Sequence, residues 1–295
     1  MLPSEDLILH GDNLDVLAGF DDGCFQLVYA DPPFNTGRRQ RRLTLSAEAN
    51  PDGDRTGFAG RRYATRVLGR SSFPDSYEDY LGFLEPRLRE LRRLLAPTGT
   101  LYLHLDYREA HYVKVLLDTL FGRECFLNEI VWAYDYGARP RRRWPAKHDT
   151  ILVYVKDPGG YWFDAEAVER EPYMAPGLVT AEKAARGKLP TDVWWHTIVS
   201  PTGKEKTGYP TQKPEGVVRR IVQASSRPGD WCLDPFAGSG TLGAVCAQLG
   251  RRFVLVDSSP EAVTVARKRL SRFRASAARV PAAEGQESST EAVRR

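Results

Sequence analysis

The sequence has 295 residues, of which 42% are hydrophobic and 27% are charged, a composition typical of a globular protein. No apolar run approaches the ~18 residues of a membrane span, and the amino terminus has no signal-peptide pattern, which argues against membrane and secreted classes. The four cysteines form no Cys-x-x-Cys pair, so we expect free thiols in a reducing cytoplasm and no metal site.

The net charge of +4 conceals two strongly basic segments. Residues 38–70 hold nine arginines against three acids, and residues 139–147 hold four arginines and one lysine with no acid. The net charge of each segment, +6 for the first and +5 for the second, is larger than the +4 of the whole chain. The rest of the chain therefore carries a net negative charge. Clustered arginine on an acidic body is typical of a protein that binds a polyanion. Solvated loops without a partner are the alternative.

The first elements form a β-α-β pattern. Residues 6–11 predict a strand that ends at Gly11-Asp12, and a short helix follows. Residues 25–30 then predict a buried strand that ends at Asp31. From 38 to 72 the sequence is rich in Gly, Ser and Arg without apolar periodicity, which predicts a long, basic, mobile loop.

Regular structure is expected to return at Ser76, which can cap a helix whose leucines recur at helical spacing. Residues 100–105 then predict a strand whose carboxyl end carries His104 and Asp106. These two side chains are placed either for a direct role in a site or for local hydrogen bonding. A further helix, closed by Gly122, completes this part of the chain.

Residues 133–206 differ in composition, with many aromatic, basic and proline residues and no long hydrophobic periodicity. One strand is expected in this region, over 148–155. We interpret this region as a small specificity lobe outside the main sheet. Alternating α/β order then resumes, with helices over 217–225, 241–249 and 260–270 and strands over 231–234 and 253–256. Residues 273–295 predict a disordered tail.

A glycine-rich turn, Pro235-Phe-Ala-Gly-Ser-Gly-Thr241, follows the strand that ends at Asp234. The helix start after Ser239 offers free amides and the positive end of a helix dipole to a ligand. Asp257, at the next strand end, is placed to accept hydrogen bonds from a ribose hydroxyl pair. Because Gly238-x-Gly240-x-x-Gly243 also fits the dinucleotide fingerprint, a nicotinamide dehydrogenase and a purely structural turn both remain open here.

The tetrapeptide Asp31-Pro32-Pro33-Phe34 stands at the end of the buried strand. The prolines stop the strand in a stiff turn, since they fix φ and cannot donate to a ladder. The turn directs a carboxylate, a backbone carbonyl and an aromatic ring toward the crevice where open α/β sheets bind ligands. A dehydrogenase has no use for such a turn, so the pairing of the two motifs favours another chemistry.

Together these motifs resemble the β-class DNA amino-methyltransferases, which use S-adenosylmethionine and carry the catalytic tetrapeptide before the cofactor turn. The residues that carry the resemblance are Gly11-Asp12, Asp31-Pro-Pro-Phe34, Thr211-Gln-Lys-Pro214, Asp234-Pro-Phe-Ala-Gly-Ser-Gly-Thr241 and Asp257. The match covers about 6–134 and 207–270. Residues 103–122 also resemble the modification methylases of type III restriction systems and their solitary relatives.

The resemblance implies a fold and a division of the chain. The fold class is α/β, a doubly wound Rossmann-like methyltransferase sheet in circularly permuted motif order, with a small target-recognition lobe. The catalytic and cofactor-binding domain is expected over 1–132 and 207–272. The recognition lobe is expected over 133–206.

The resemblance also implies the activity. We expect methyl transfer from S-adenosylmethionine to the exocyclic amino group of an adenine flipped out of double-stranded DNA. Adenine is favoured because the family's cytosine members more often carry Ser where Asp31 stands. A cytosine-N4 methyltransferase, an RNA or protein amino-methyltransferase and a catalytically silent DNA-binding relative remain alternatives. A homodimer and a cognate restriction endonuclease are left open.

Residue roles follow from the same resemblance. Asp31 and the backbone carbonyl of Pro32 would accept hydrogen bonds from the amino group, Phe34 would stack on the base, and Pro33 completes the catalytic turn. Asp257 would bind the ribose and Asp12 the adenine edge of the cofactor. The expected cofactor-binding residues are Asp12, Asp31, Thr211, Lys213, Asp234, Phe236, Gly238, Ser239, Gly240, Thr241 and Asp257.

In that set, Thr211, Lys213 and the turn from Gly238 to Thr241 are expected at the methionine end of the cofactor. Asp234 is expected to order the glycine turn rather than to touch the ligand. The expected DNA-contacting residues are Arg38, Arg39, Arg41, Arg42, Arg139, Arg141, Arg142 and Arg143. Trp132 and Trp144, near the second basic segment, suit either DNA contact or a core aromatic cluster.

Overall fold

The computed structural model describes residues 2–52, 55–56, 60, 62–137, 139–200 and 202–277. Its strands are, in chain order, β1 (Leu7–His10), β2 (Phe25–Ala30), β3 (Arg38–Ala49), β4 (Arg55–Thr56), β5 (Arg62–Asp75), β6 (Leu95–Leu105), β7 (Phe126–Ala133), β8 (His148–Val155), β9 (Val193–Trp195), β10 (Trp231–Asp234) and β11 (Arg252–Asp257). Its α-helices are α1 (Asn13–Leu17), α2 (Tyr80–Leu94), α3 (Ala110–Phe121), α4 (Ala181–Arg186), α5 (Glu215–Ser225), α6 (Thr241–Leu249) and α7 (Pro260–Ala277).

Eight strands form one mixed sheet in the order β1-β11-β10-β2-β6-β8-β7-β9. The pairings from β1 to β6 are parallel, whereas β8 is antiparallel to both of its neighbours. The chain moves to one side from β2 to β6 and to the other from β10 to β11, so the topological switch point lies between β2 and β10. The predicted α/β doubly wound sheet is confirmed. Ligands bind at the carboxyl ends of strands at such a switch point.

Helices cover both faces of the sheet and bury an apolar stripe against it. Leu84, Leu88 and Leu91 of α2 belong to one core cluster, and Val218 and Ile221 of α5 belong to the other. Each is at most 1% exposed, so each contributes roughly 1.5–3 kcal/mol of transfer free energy. This burial fixes the strand ends that carry the site.

The prediction of an irregular loop over 38–72 was wrong, because β3 and β5 form a long antiparallel hairpin. The register runs from Arg38 opposite Asp75 to Ala49 opposite Tyr63. Apolar periodicity reports the burial of one face, whereas a ladder joins backbone groups whatever the side chains are. A hairpin of mixed polar sequence therefore gives little signal. The predicted mobility of this segment stays a prediction.

The prediction that 133–206 lies outside the main sheet was wrong for two strands. β8 is an interior strand between β6 and β7, and β9 pairs in parallel with β7 at the sheet edge. The strand over 148–155 was visible in the sequence as an apolar run, but its partners lie far away along the chain. The stretch between β8 and β9 holds only a bridge, a short 3₁₀ turn and α4.

Two helix ends differ from those expected from the sequence. α2 is capped by Asp79, whose Oδ1 accepts from the N–H of Gly82 at 2.8 Å, and not by Ser76. α7 continues to Ala277, so the predicted tail starts too early, and 278–295 lie outside the described residues. None of the helices in the described ranges has the length and apolarity to cross a membrane.

Candidate active site

The carboxyl ends of β1, β2 and β11 converge on a cavity of about 350 Å³. Parallel strands present these ends at one edge of the sheet, so residues distant in sequence become neighbours. Nine of the predicted site residues line the cavity, and these are Asp12, Asp31, Pro32, Pro33, Phe34, Thr211, Lys213, Phe236 and Asp257. The other lining residues include Asp75, Tyr77, Arg87 and Glu261, which sequence reasoning did not find.

The remaining predicted cofactor residues are not among those that line the cavity. Asp234 is buried, and its Oδ1 accepts from the N–H of Phe236 at 3.0 Å, so it orders the start of the glycine turn. Burial, with the charges of Asp31 and Asp257, raises the pKa of Asp234 well above its usual range. Gly238, Ser239 and Gly240 belong to the turn, and Thr241 is the first residue of α6.

The glycine turn is held by Asp257. Its Oδ2 accepts from the N–H of Gly238 at 2.8 Å, and its Oδ1 accepts from the N–H of Ser259 at 2.8 Å. Burial raises the pKa of Asp257, against the opposing effect of these two hydrogen bonds. Gly240 has φ of +72°, and a Cβ there would lie 3.0 Å from the Cβ of Ala266. Glycine is required at this position because α7 packs directly on the turn.

The side chain of Arg269 in α7 also holds this turn. Its Nη1 donates to Thr241 Oγ1 at 2.9 Å and to Ser239 Oγ at 3.2 Å, and its Nη2 donates to Glu215 Oε1 at 2.7 Å. Burial alone would raise the pKa of Glu215, but hydrogen bonds from Gln248 and Arg269 outweigh it and lower that pKa. Arg269 was not predicted from the sequence, because an arginine on a terminal helix is usually exposed to solvent.

The turn Asp31-Pro32-Pro33-Phe34, called the catalytic turn after its expected role, carries an ion pair. Lys213 Nζ lies 2.5 Å from Asp31 Oδ2 and 4.7 Å from the centre of the Phe34 ring. The second oxygen, Asp31 Oδ1, is buried and has no hydrogen-bond partner within the described residues. A buried acceptor without a partner costs free energy, so Oδ1 is available to a hydrogen-bond donor that enters the cavity.

The back of the catalytic turn is clamped by residues that precede or begin α2. Asp75 accepts from the N–H of Asn35 at 2.8 Å and from Thr36 Oγ1 at 2.5 Å. The hydroxyl of Tyr80 donates to the carbonyl of Pro33 at 2.7 Å. Asn35 has φ of +52°, an uncommon conformation for a residue with a side chain, and its Oδ1 accepts from the N–H of Tyr77 at 2.9 Å. The turn is therefore rigidly held.

Asp12 is paired with an arginine from α2. Arg87 Nη2 lies 2.8 Å from Asp12 Oδ2, and Arg87 Nε donates to Asn13 Oδ1 at 2.8 Å. Asp12 Oδ1 also caps α1 by accepting from the N–H of Leu14. A sequence signal for Arg87 did exist, because it falls on the apolar stripe of α2, three residues after Leu84. A charged residue on such a stripe indicates a buried partner.

His104 belongs to a buried hydrogen-bond network next to Phe34. Its Nδ1 lies 2.8 Å from the hydroxyl of Tyr29, and its Nε2 lies 3.2 Å from Asp149 Oδ2, whose Oδ1 accepts from the hydroxyl of Tyr134. The His104 and Phe34 rings are 5.7 Å apart. Burial would raise the pKa of Asp149, but the hydrogen bond from His104 and nearby positive charge lower it. His104 does not line the cavity, which favours the local hydrogen-bonding alternative.

Asp106, the other polar residue at this strand end, forms an ion pair with Arg108 at 2.7 Å and does not line the cavity either. Among the aromatic candidates, Trp132 is buried and donates to the carbonyl of His196, so it belongs to the core. Trp144 is 94% exposed.

The predicted DNA-contacting arginines fall in two places. The first group, Arg38, Arg39, Arg41 and Arg42, lies on β3, immediately after the catalytic turn, and its side chains are outside the described part of the structure. The second group, Arg139, Arg141, Arg142 and Arg143, is exposed in the segment between β7 and β8. Arg139 pairs with Asp135 at 2.8 Å.

Comparison with known proteins identifies the family to which the chain is similar. A family model described as DNA methylase, of the N6 and N4 type, matches residues 25–268. DNA adenine methyltransferase YhdJ of Escherichia coli K12 is 30% identical over 271 residues, which cover 89% of this chain and 82% of YhdJ. Type II methyltransferase M.HpaI of Haemophilus parainfluenzae is 29% identical over 257 residues, 87% of this chain and 71% of M.HpaI.

Two solved structures share the fold. The PvuII DNA methyltransferase, described as cytosine-N4-specific, superposes with a TM-score of 0.63 at 16% identity and covers 92% of this chain and 91% of its own. The M1.HpyAVI–SAM complex superposes with a TM-score of 0.58 at 22% identity and covers 89% and 98%. At these identities the structures establish architecture only.

Proposed function

This chain belongs to the DNA methylase family of N6 and N4 amino-methyltransferases, and from that premise we propose that it methylates N6 of adenine in duplex DNA. The family transfers a methyl group from S-adenosylmethionine to an exocyclic amino group. The observation that carries the proposal is the buried, unpartnered Oδ1 of Asp31 beside Pro32 and Phe34 in the cavity wall. An amino group that donates to Oδ1 would satisfy it.

The turn suits the chemistry of an amino group conjugated with a ring. Such a nitrogen is a poor nucleophile because its lone pair is delocalised into the ring. Asp31 Oδ1 and the carbonyl of Pro32 provide two acceptors that draw the nitrogen toward a tetrahedral shape and free the lone pair. The nitrogen lone pair would form the new bond to the methyl carbon as the carbon–sulfur bond of the cofactor breaks, and that bonding pair would stay on sulfur. The nitrogen would afterwards release one proton to solvent, so Asp31 does not need to remove a proton first.

Phe34 supplies the stacking surface for the base. A base inside the duplex cannot reach a turn that lies in a cavity, so the target must be flipped out. The cavity of about 350 Å³ is in the range of small-molecule sites. Rigid support of the turn by Asp75 and Tyr80 means that the acceptors are already oriented when the base arrives.

The cavity also fits the cofactor. When bound, S-adenosylmethionine supplies a methyl group on a positively charged sulfur. The acids of the wall, which are Asp12, Asp31, Asp75, Asp257 and Glu261, outnumber its two bases, Arg87 and Lys213. An acidic site favours a cationic ligand. We assign the ribose to Asp257 and the adenine edge to Asp12, since a carboxylate has about four acceptor positions and both acids keep some free.

Adenine is proposed over cytosine for two reasons. Asp31 stands where cytosine-modifying relatives more often carry Ser, and the relative YhdJ is described as a DNA adenine methyltransferase. Cytosine-N4 remains the second candidate because the fold of the cytosine-N4-specific PvuII enzyme is equally compatible with this chain. A homodimer and a partner endonuclease stay predictions.

The catalytic assignment is tested with Asp31→Ala. We expect kcat to fall by at least about 10²-fold, because an oriented acceptor is lost, while the Kd for the cofactor changes little. Methyl transfer into duplex DNA and calorimetric cofactor binding measure the two effects. Substantial turnover by Asp31→Ala would contradict the assignment.

The base and the recognition sequence are tested together by modification-sensitive sequencing of DNA from a host that expresses the protein. We expect N6-methyladenine within a defined motif. Methyl groups on cytosine N4 would transfer the proposal to the second candidate, and the absence of any modified motif would overturn both.

A further inference from the structure

Lys213 connects the two halves of the active site. Its Nζ lies 2.5 Å from Asp31 Oδ2 in the catalytic turn. Its own carbonyl accepts from Thr241 Oγ1 at 3.1 Å, at the end of the glycine turn, which is called the cofactor turn from here on. Lys213 is only 8% exposed, and Arg269 holds Thr241 in place. One residue therefore links Thr241, at the end of the glycine turn, to the carboxylate of Asp31.

This position differs from the one that the family resemblance implies, at the methionine end of the cofactor. The ammonium is committed to Asp31 and also lies 4.7 Å from the centre of the Phe34 ring, within cation–π range. Moving it to a ligand carboxylate would leave the charge of Asp31 buried without its partner, which is strongly unfavourable. The contacts of Lys213 thus favour the acceptor side of the site.

We propose that Lys213 is a positioning residue that orients Asp31 for the target amino group, an inference that rests on the proposed function. By holding Oδ2, Lys213 prevents rotation of the carboxylate and leaves Oδ1 as the free acceptor. The hydrogen bond from Thr241 fixes the backbone of Lys213 relative to the cofactor turn. Small errors in this alignment lower kcat strongly, because the reacting atoms must be close and in line.

The test compares Lys213→Met with Lys268→Met, a matched control on the exposed surface of α7 and outside the cavity wall. We expect kcat on duplex DNA to fall by about 10²-fold for Lys213→Met and to stay unchanged for the control. If Lys213→Met fails to fold, as checked by thermal unfolding, Lys213→Gln keeps a donor and is expected to show a smaller loss of kcat.

A binding measurement separates positioning from cofactor recognition. S-adenosylhomocysteine carries the amino-acid carboxylate, whereas 5′-methylthioadenosine lacks it. If Lys213 positions Asp31, the ratio of the two Kd values is the same in wild type and in Lys213→Met. If Lys213 binds the carboxylate, Lys213→Met weakens S-adenosylhomocysteine about tenfold or more and leaves methylthioadenosine unaffected, which overturns the inference.

A double-mutant cycle with Asp31→Asn gives the final readout. Because Lys213 acts through Asp31, adding Lys213→Met to Asp31→Asn should lower kcat by less than about threefold. Fully additive losses would overturn the inference. Wild-type protein that methylates no DNA would overturn the proposed function itself, whereas active wild type with an unchanged kcat in Lys213→Met would overturn only the role of Lys213.

Discussion

The two halves of the active site are built in different ways. The cofactor turn is held by Asp234, Asp257 and Arg269, which lie within one continuous stretch from β10 to α7. The catalytic turn is held by Lys213 and Asp75, which lie far from Asp31 along the chain. The first half is held mainly by contacts within this stretch, whereas the second depends on contacts between residues 40 and 182 positions apart.

The halves also differ in how their acids are used. Both oxygens of Asp257 already accept backbone N–H groups, so this acid is structural before any ligand binds. Asp31 is held through Oδ2, while Oδ1 has no partner in the described chain. Polar groups of a reactive site are typically left incomplete in this way until the substrate arrives. We therefore expect damage to the first half to appear as lost stability and cofactor binding, and damage to the second as lost turnover.

The largest effect is expected for Arg269→Met, which removes the support of the cofactor turn. The change takes from the largely buried Glu215 side chain the closer of its two arginines, leaving Arg272 at 3.5 Å, and removes donors from Ser239 and Thr241. Breaking a buried pair in this way costs about 3–5 kcal/mol of the free energy of unfolding. Denaturant titration measures this loss, and calorimetry should show weaker cofactor binding.

Arg272→Met is the matched control, because Arg272 reaches the same Glu215 oxygen at 3.5 Å from a half-exposed position. We expect it to cost less than about 1 kcal/mol, as surface pairs do. Equal losses for the two arginines would mean that the buried contacts of Arg269 do not support the turn, and the contrast between the halves would fail.

An intermediate effect is expected for Asp75→Ala in the catalytic half. The change removes the acceptor for Asn35 and Thr36, so the turn that carries Phe34 loses its clamp. We expect kcat to fall about 10- to 100-fold and the free energy of unfolding to fall by about 1–3 kcal/mol. The Kd for S-adenosylhomocysteine should stay within about threefold, because the cofactor turn is not touched.

Asp79→Ala serves as its control. Asp79 caps α2 and is exposed, so its loss should cost about 1 kcal/mol of stability without changing kcat. If both variants lose the same turnover, the effect of Asp75 is only one of stability, and the catalytic turn does not depend on this clamp.

The same difference between the halves explains how much of the site could be predicted. The cofactor turn was recognisable because glycines, the strand-end acids Asp234 and Asp257 and a helix start follow one another at fixed spacing. The catalytic tetrapeptide was recognisable for the same reason. Lys213 was found as a site residue, but its contact with Asp31 was not, since nothing in a local pattern specifies a pairing across 182 positions.

Long-range pairing also limited the prediction of the fold. The strands near the site were visible as apolar runs, whereas the place of β8 inside the sheet depends on pairing with β6 and β7. The β3–β5 hairpin escaped because its ladder is not accompanied by apolar alternation. Asp75, the clamp of the catalytic turn, ends that hairpin and so could not be placed without it.

The smallest effect concerns the pH dependence of the cofactor half. Burial raises the pKa of Asp257 above 3.8, so the folded protein retains a proton that the unfolded chain has released. The free energy of unfolding contributed by this group therefore falls as pH rises from 3.8 through the raised pKa. Cofactor affinity should change in the opposite direction, because the ribose hydroxyls donate to the carboxylate form. We expect Kd to decrease about three- to tenfold across that window, the equivalent of one hydrogen bond.

Asp257→Asn isolates this contribution, since an amide does not titrate in the window. Asp234 also has a raised pKa, but it does not line the cavity, so it affects stability without affecting the ligand directly. Calorimetric titration with S-adenosylhomocysteine across the acidic range should give a sloping Kd for wild type and a flat one for Asp257→Asn. A slope that persists in the variant would assign the titration to another acid of the cavity and leave Asp257 a purely structural support of the glycine turn.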